Sequence, residues 1–300
     1  MTNTLISIVG PTAIGKTALS IKLAQHFSAD ILSADSRQFY KEMNIGTAVP
    51  SKDELHAAKH HFIQHKSIQE NYNVGDFEVD AINKITDLHK DNPFAIMVGG
   101  SGLYVKAVTK GLDHFPEIDK DIRQNLNKIL DKKGIEALQA KLKALDQKTY
   151  ETIALDNPQR LIRALEICIG TNKPYSSFLT NKEKNRNFKT VSIGLMAERS
   201  IIYDRINKRV DIMIENGLVE EVKSLFPYKD LNALNTVGYK EIFQYLEGNY
   251  DLDFAVSEIK KNTRRFAKRQ LTWFRKDKSI IWFDYKRDFN DVIDSIKFQS

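Results

Sequence analysis

Eight residues, Gly10-Pro11-Thr12-Ala13-Ile14-Gly15-Lys16-Thr17, follow directly on the apolar run Leu5-Ile6-Ser7-Ile8-Val9 and match G-x-x-x-x-G-K-[ST] in full. No other stretch limits the fold as tightly. The glycines let backbone N–H groups close around phosphate oxygens, the lysine adds a point charge, and the threonine hydroxyl can reach a magnesium ion. A buried strand before the loop, and an amphipathic segment after it with Leu19, Leu23 and Phe27 on one side, aim a helix N-terminus at the anion. The competing reading is a glycine-rich turn with an exposed lysine, which the strand-turn-helix context disfavours. What such a loop grips is a polyphosphate, and that need not be ATP.

A chain of 300 residues makes two domains, or one α/β domain carrying an insertion. With 42% apolar residues it can bury a sizeable core, and no uncharged apolar run approaches the ~20 residues of a membrane span. A strand begins within a few residues of Met1, leaving no room for a signal peptide, and the single cysteine excludes an intramolecular disulfide. The expected compartment is the cytoplasm. A net charge of +6 is compatible with a polyanionic partner but does not demand one.

The first third alternates strand-like runs at residues 5–9, 30–34 and 94–98 with helical patterns at 17–27, 77–90 and 103–110. Alternation of this kind implies a parallel sheet with helices on its faces. From about residue 115 the pattern changes, and 119–131, 135–145 and 158–169 read as helices with no strand between them. A polar stretch at 180–187 closes this block, residues 190–195 resemble a fourth strand and 279–283 a fifth. Between these last strands, helical patterns run near 199–216, 218–226, 238–248 and 254–276, with Gly217 at a C-cap position. The expected organisation is therefore a discontinuous core, residues 1–114 and 188–300, split by an all-helical insertion at 115–187.

Ligands of open parallel sheets bind beyond the carboxyl ends of the strands, and three further features converge there. Asp35, followed by Ser36, Arg37 and Gln38, offers a metal ligand, a base or a cap. Val98-Gly99-Gly100-Ser101-Gly102 gives either close backbone approach for a ligand plus a hydroxyl, or a tight turn. The strand before it lacks the acidic residue that carries Mg²⁺ in ATP-hydrolysing relatives of this loop, which argues against a motor ATPase. Arg205 and Arg209 stand four apart on a helical pattern, able to clamp a diphosphate or to lie solvated on the surface.

Two stretches suit a larger anion. Asn157-Pro158-Gln159-Arg160-Leu161-Ile162-Arg163 opens a helix with Pro158 near its first position and Arg160 and Arg163 on one side. Lys260, Lys261, Arg264, Arg265, Lys268, Arg269, Arg275, Lys276 and Lys278 gather around Phe266, Trp273 and Phe274, as nucleic-acid contacts or as a lysine face over core aromatics. His56, His60, His61 and His65 have helical spacings, but no cysteine joins them and the zincin glutamate is missing. Cys168 falls on an apolar helix face and reads as core.

Taken in order, GPTAIGKT at 10–17, DSRQ at 35–38, YKEMNIGTA at 40–48, VGGSGLY at 98–104, DNPQRLIR at 156–163 and VGY at 237–239 resemble bacterial tRNA dimethylallyltransferases over nearly the whole chain. The resemblance implies transfer of a dimethylallyl group from dimethylallyl diphosphate to N6 of the adenosine immediately 3′ of the anticodon, with Mg²⁺. It also implies an α/β fold, a P-loop nucleotide-kinase-like parallel sheet with helices on both faces, whose helical insertion grips the tRNA anticodon stem-loop. Residues 10–17 and Arg205 would hold the diphosphate, Lys16 and Arg209 neutralise its developing charge, Thr17 place Mg²⁺, and Asp35 take the amine proton. Asp35, Ser36, Arg37, Gln38, Ser101, Arg123, Gln159, Arg160, Leu161, Ile162 and Arg163 match tRNA-contact positions. Serine at 101, where the family more often has threonine, keeps the hydroxyl and loses a methyl. One cysteine cannot make the C-terminal zinc finger of eukaryotic relatives. A monomer without an obligate protein partner and without a membrane association is expected. A small-molecule kinase would share the first hundred residues but need ATP. An adenylate isopentenyltransferase would use a free nucleotide as acceptor, and a non-enzymatic RNA-binding module would have no use for the loop with Asp35.

Overall fold

The run at the head of the chain is buried at every position, as a central parallel strand must be when both faces are covered, and forms β1 (Thr4–Val9). A computed structural model describes residues 2–180 and 183–299, so Asn181 and Lys182, within the polar stretch at 180–187, lie outside the described residues. The chain continues through α1 (Lys16–Phe27), β2 (Ile31–Ser33), α2 (Lys52–Ala57), β3 (His60–His61), α3 (Val74–Leu88), β4 (Phe94–Val98) and α4 (Gly102–Thr109). Next come α5 (Lys120–Leu145), α6 (Gln147–Thr152) and α7 (Pro158–Thr171). They are followed by β5 (Lys189–Met196), α8 (Arg199–Glu215), α9 (Leu218–Ser224), α10 (Tyr239–Leu246), α11 (Leu252–Phe274), β6 (Ile281–Asp284) and α12 (Phe289–Gln299). Two compact units result: Met1–Lys110 with Asn185–Ser300, and Gly111–Lys184.

In the larger unit six strands form one sheet in the order β3-β2-β4-β1-β5-β6, every neighbouring pair parallel. Ile6 of β1 lies opposite Ile96 on one side and Val191 on the other. Successive side chains of a strand point to opposite faces, and the core divides accordingly. Leu5, Val9, Leu32, Ala95 and Met97 pack with Phe77, Ala81 and Ile85 of α3 and with Val105 and Val108 of α4. Ile6, Ile8, Ile31, Ile96, Val191 and Ile193 pack with Leu23 and Ala24 of α1 and with Val292, Ile293 and Ile296 of α12. Helices thus cover both faces. A further cluster unites Met43 with Val210, Leu218, Val222, Tyr239, Ile242 and Ile259 from α8 to α11, anchoring the loop between β2 and α2.

The smaller unit is helical. Gly134, at φ 76° and ψ 178°, interrupts α5, so the two helical patterns read on either side of residue 134 meet at a kink. Leu126, Leu138 and Leu142 pack against Leu161, Ile162, Leu165 and Cys168 of α7. The buried Asp146 carboxylate accepts bonds from Thr149 N, Thr149 Oγ1, Ser176 N and Ser176 Oγ, closing the α5–α6 corner.

Three expectations need correction. The sheet has six strands, not five, because two-residue β3 is too short to show a period. That strand also removes the helical spacing of the histidines: His60 and His61 are in β3, His61 Nε2 meets Asp30 Oδ2 at 2.8 Å, and His60 Nδ1 meets the Ala58 carbonyl at 2.7 Å. Among the described residues no group of three or more His, Cys, Asp or Glu could hold a metal ion. Helices α2, α6 and α12 are additional elements; α2 is a six-residue helix held by a Ser51–Glu54 capping box rather than by an apolar face.

Candidate active site

The loop after β1 closes on itself before α1 begins. Gly10 sits at φ 144°, and a Cβ there would lie 2.7 Å from the Leu195 carbonyl of β5, so only glycine lets the loop leave the sheet. Ala13 and Gly15 also take positive φ, 63° and 109°, turning the chain into the helix. The Lys16 ammonium donates to the carbonyls of Gly10, at 3.0 Å, and Pro11, at 2.8 Å. Burial of this group pushes its pKa down to about 8, against the pull of the Asp35 carboxylate and with help from Arg209.

Two arginines of α8 reach the same loop from one helix face. Arg205 donates through Nε to the Ala13 carbonyl at 2.6 Å, its guanidinium over the Tyr285 ring. Arg209 places Nη1 3.5 Å from Thr12 Oγ1. Burial, then Arg205, lowers the Arg209 pKa, and among the described residues no carboxylate lies within ion-pair distance of it. A half-buried cation without a counter-ion is the signature of an anion site. Thr17 Oγ1 has no hydrogen-bond partner among the described residues, so this hard oxygen is open to a divalent ion that arrives with phosphate oxygens.

Asp35 comes two residues after β2. Its Oδ1 accepts the Arg37 amide at 3.0 Å, so the carboxylate caps its own turn rather than a helix. Ser101 Oγ accepts the Ser36 amide at 3.1 Å and donates to Ser36 Oγ at 3.2 Å, joining the loops after β2 and β4. The Arg37 guanidinium donates to the carbonyls of Asn232 and Asn235 at 2.9 and 3.4 Å. Gln38 donates to the carbonyls of Thr47 and Ala48, at 3.2 and 2.9 Å, while its Oε1 accepts from Ser33 Oγ.

The glycines after β4 serve a different approach from that expected. A Cβ on Gly99 would lie 2.3 Å from the Ala34 carbonyl, one on Gly100 2.1 Å from Gln270 Nε2, and one on Gly102 2.2 Å from the Trp273 ring. What comes close to this backbone is the protein itself.

Two cavities meet here. One, about 460 Å³, is a cradle lined by the loop from Thr12 to Ala18 with Arg205. The other, about 410 Å³, is walled by Arg37, Ser101, Met213, Ile259, Thr263 and Phe266. Thr12, Asp35, Thr47, Ala48 and Arg209 line both. A carboxylate and a cation with no ion-pair partner among the described residues thus stand at the junction of the two cavities.

The remaining anticipated residues lie in the smaller unit. Asn157 Oδ1 caps α7 by accepting the Arg160 amide at 3.1 Å, with Pro158 at the first turn. Gln159, Arg160 and Arg163 are exposed, whereas Leu161 and Ile162 are buried in that unit's core, leaving three of the five side chains open to solvent. Arg123 donates to both oxygens of Glu166, at 2.5 and 2.7 Å, and Arg163 lies 3.6 Å from the same carboxylate. Of the basic C-terminal run, Lys260 pairs with Asp211 and Lys261 with Glu258, Phe274 is core, and Phe266 and Trp273 are partly exposed.

Three contributors escaped the sequence reading. Glu221 of α9 accepts the amides of Asn44, Ile45 and Gly46 and the Tyr239 hydroxyl, holding the loop that lines both cavities. Met213 forms part of the second wall. Gln270 sits at a buried position of the stripe Ala267, Gln270, Phe274. A polar residue on a core-facing stripe is a signal that could have found it, since buried amides need partners.

The family model described as IPP transferase matches residues 38–277. The chain is 63% identical over 297 residues to the tRNA dimethylallyltransferase of Christiangramia forsetii, covering 99% of this chain and 98% of that protein. It is 60% identical to the tRNA dimethylallyltransferase of Flavobacterium johnsoniae, with 96% of each covered. The crystal structure of the full-length tRNA isopentenylpyrophosphate transferase from Bacillus halodurans superposes with a TM-score of 0.71 at 40% identity, over 98% of this chain and 94% of that one. A eukaryotic dimethylallyltransferase acting on tRNA superposes with a TM-score of 0.81 at 25% identity, over 100% of this chain and 81% of that one.

Proposed function

The chain belongs to the IPP transferase family, and on that basis we propose that its two adjoining cavities hold the donor and the acceptor of a tRNA prenyl transfer. It is a tRNA dimethylallyltransferase in activity: dimethylallyl diphosphate and tRNA give N6-dimethylallyladenosine, immediately 3′ of the anticodon, and diphosphate.

The observation that carries the assignment of roles is that Asp35 and Arg209 line both cavities. The diphosphate sits in the cradle against Lys16, Arg205 and Arg209, while the adenine, extruded from the anticodon loop at a cost of a few kcal/mol, enters the second cavity. The allylic C–O bond breaks and N6 bonds to the same carbon. The N6 proton passes to the Asp35 carboxylate, and the electron pair of the broken bond leaves on the diphosphate, stabilised by the three cations. Magnesium, held by Thr17 Oγ1 and diphosphate oxygens, would supply further neutralisation of the leaving group. Asp35, Ser36, Arg37, Gln38 and Ser101 shape the acceptor side. Gln159, Arg160 and Arg163, with Arg123 through its remaining donors, offer contacts to the anticodon stem-loop. Among the described residues no helix is long and apolar enough to cross a membrane, and action on tRNA supports a cytoplasmic location, where that substrate is.

Labelled dimethylallyl diphosphate, Mg²⁺ and an anticodon stem-loop RNA test the reading beside parallel reactions with AMP and with ATP. Label on an RNA adenosine is expected. Label on AMP, or phosphoryl transfer from ATP at a comparable rate, would assign the site to a free-nucleotide transferase or a kinase.

A further inference from the structure

Gln270 of α11 sends its side chain off the helix to bind two other loops. Its Oε1 accepts the Thr12 amide at 2.9 Å, and its Nε2 donates to the Gly100 carbonyl at 2.9 Å. One partner can only donate and the other only accept, so the two fix which way the amide points. The side chain is buried, and Gly100 has no space for a Cβ against Nε2.

Both partners belong to the site. Thr12 supplies the first N–H after Pro11, in a loop whose Gly10 and Pro11 carbonyls are taken by Lys16. Its hydroxyl accepts from Arg209 Nη1 at 3.5 Å. On the other side Gly100 precedes Ser101, whose hydroxyl holds the Ser36 amide next to Asp35. The helix that carries Gln270 also presents Thr263, Phe266 and Arg269 to the acceptor cavity. One amide therefore ties the phosphate loop, the turn that positions the Asp35 loop, and the acceptor wall.

We infer that Gln270 is a positioning residue that holds the phosphate loop in its diphosphate-binding shape. This rests on the transferase reading for its role in the reaction, but the binding it controls can be measured without turnover. Loss of the side chain leaves a part-buried N–H and a buried C=O unpaired, and the loop relaxes rather than bear both. The relaxed loop binds diphosphate poorly, while Gln159, Arg160 and Arg163 of α7, none of which bonds to Gln270 among the described residues, keep their contacts to the stem-loop.

The test is calorimetric binding of inorganic diphosphate with Mg²⁺, and of an anticodon stem-loop, to wild type, Gln270→Met, Gly100→Ala and the double variant, each checked by thermal melting. Gln270→Met should weaken diphosphate about tenfold or more, with stem-loop affinity within about twofold. Gly100→Ala displaces the same amide from the other side and should reproduce the effect, and the double variant should be no worse than the poorer single. Gln270→Glu keeps the acceptor for Thr12 and loses the donor to Gly100, so it should fall between wild type and Gln270→Met, and with Gly100→Ala it carries the comparison if Gln270→Met does not fold. Wild-type diphosphate affinity in these variants, equal losses for both ligands, or single effects that multiply would overturn the inference. A wild-type enzyme that binds diphosphate but labels no RNA would instead overturn the transferase reading.

Discussion

Lys16 carries its charge where burial opposes it, and in the proposed diphosphate site this makes its proton part of the binding equilibrium. With its pKa near 8 in the free protein, the ammonium persists below that value and is lost above it. A bound diphosphate favours the charged form, so diphosphate binding and protonation support one another. KM for dimethylallyl diphosphate should accordingly be level up to about pH 8 and rise by up to about tenfold per unit beyond it. Lys16→Arg keeps its charge throughout and should flatten this rise, even if its absolute KM is worse. Initial rates from about pH 7 to about pH 9.5 decide the matter, and a wild-type KM that stays level across the range would show that Lys16 is not titrating against the diphosphate. The same residue shows how far single positions can be read: its place in G-x-x-x-x-G-K-[ST] was plain, but its folding back onto the Gly10 and Pro11 carbonyls depends on atoms the motif does not specify.

At the scale of elements, α7 divides its side chains between core and surface. Leu161 and Ile162 fasten it to the core of its unit, and Gln159, Arg160 and Arg163 remain exposed. Arg160 has no ion-pair partner among the described residues, whereas Arg163 shares Glu166 with Arg123 and lies over the Phe115 ring. Arg160→Ala should lower the log–log salt slope of tRNA binding by about 0.7–0.9, the value of one phosphate contact, and Arg163→Ala by less. Filter binding across a salt series measures both, and slopes equal to wild type would remove α7 from the RNA interface. Elements with long apolar periods, such as β1, β4, α7 and α11, were legible because their patterning reports burial directly. The two-residue β3 and six-residue α2 were not, since they are fixed by pairing and capping rather than by a period. The glycines after β4 were legible as a place of close approach, but not that Ala34, Gln270 and Trp273 do the approaching.

For the whole molecule, the consequence of the fold is that two cavities sharing Thr12, Asp35, Thr47, Ala48 and Arg209 abut in one unit. The cradle was legible because eight consecutive residues build it. The second cavity was not, because Ser101, Met213, Thr263 and Phe266 come from three helix boundaries and faces that only the topology brings together. Asp35 belongs to both spaces, so the proposed transfer depends on its taking the proton rather than merely capping the Arg37 turn. Asp35→Asn retains the shape and can still cap through its amide oxygen, which separates the two roles. The most direct measurement is single-turnover transfer to an anticodon stem-loop by Asp35→Asn and wild type, with stem-loop affinity determined on the same preparations. Loss of about 10²- to 10⁴-fold in rate, with affinity within about twofold, is the predicted result. A wild-type rate from Asp35→Asn would contradict the account and return Asp35 to the turn it caps.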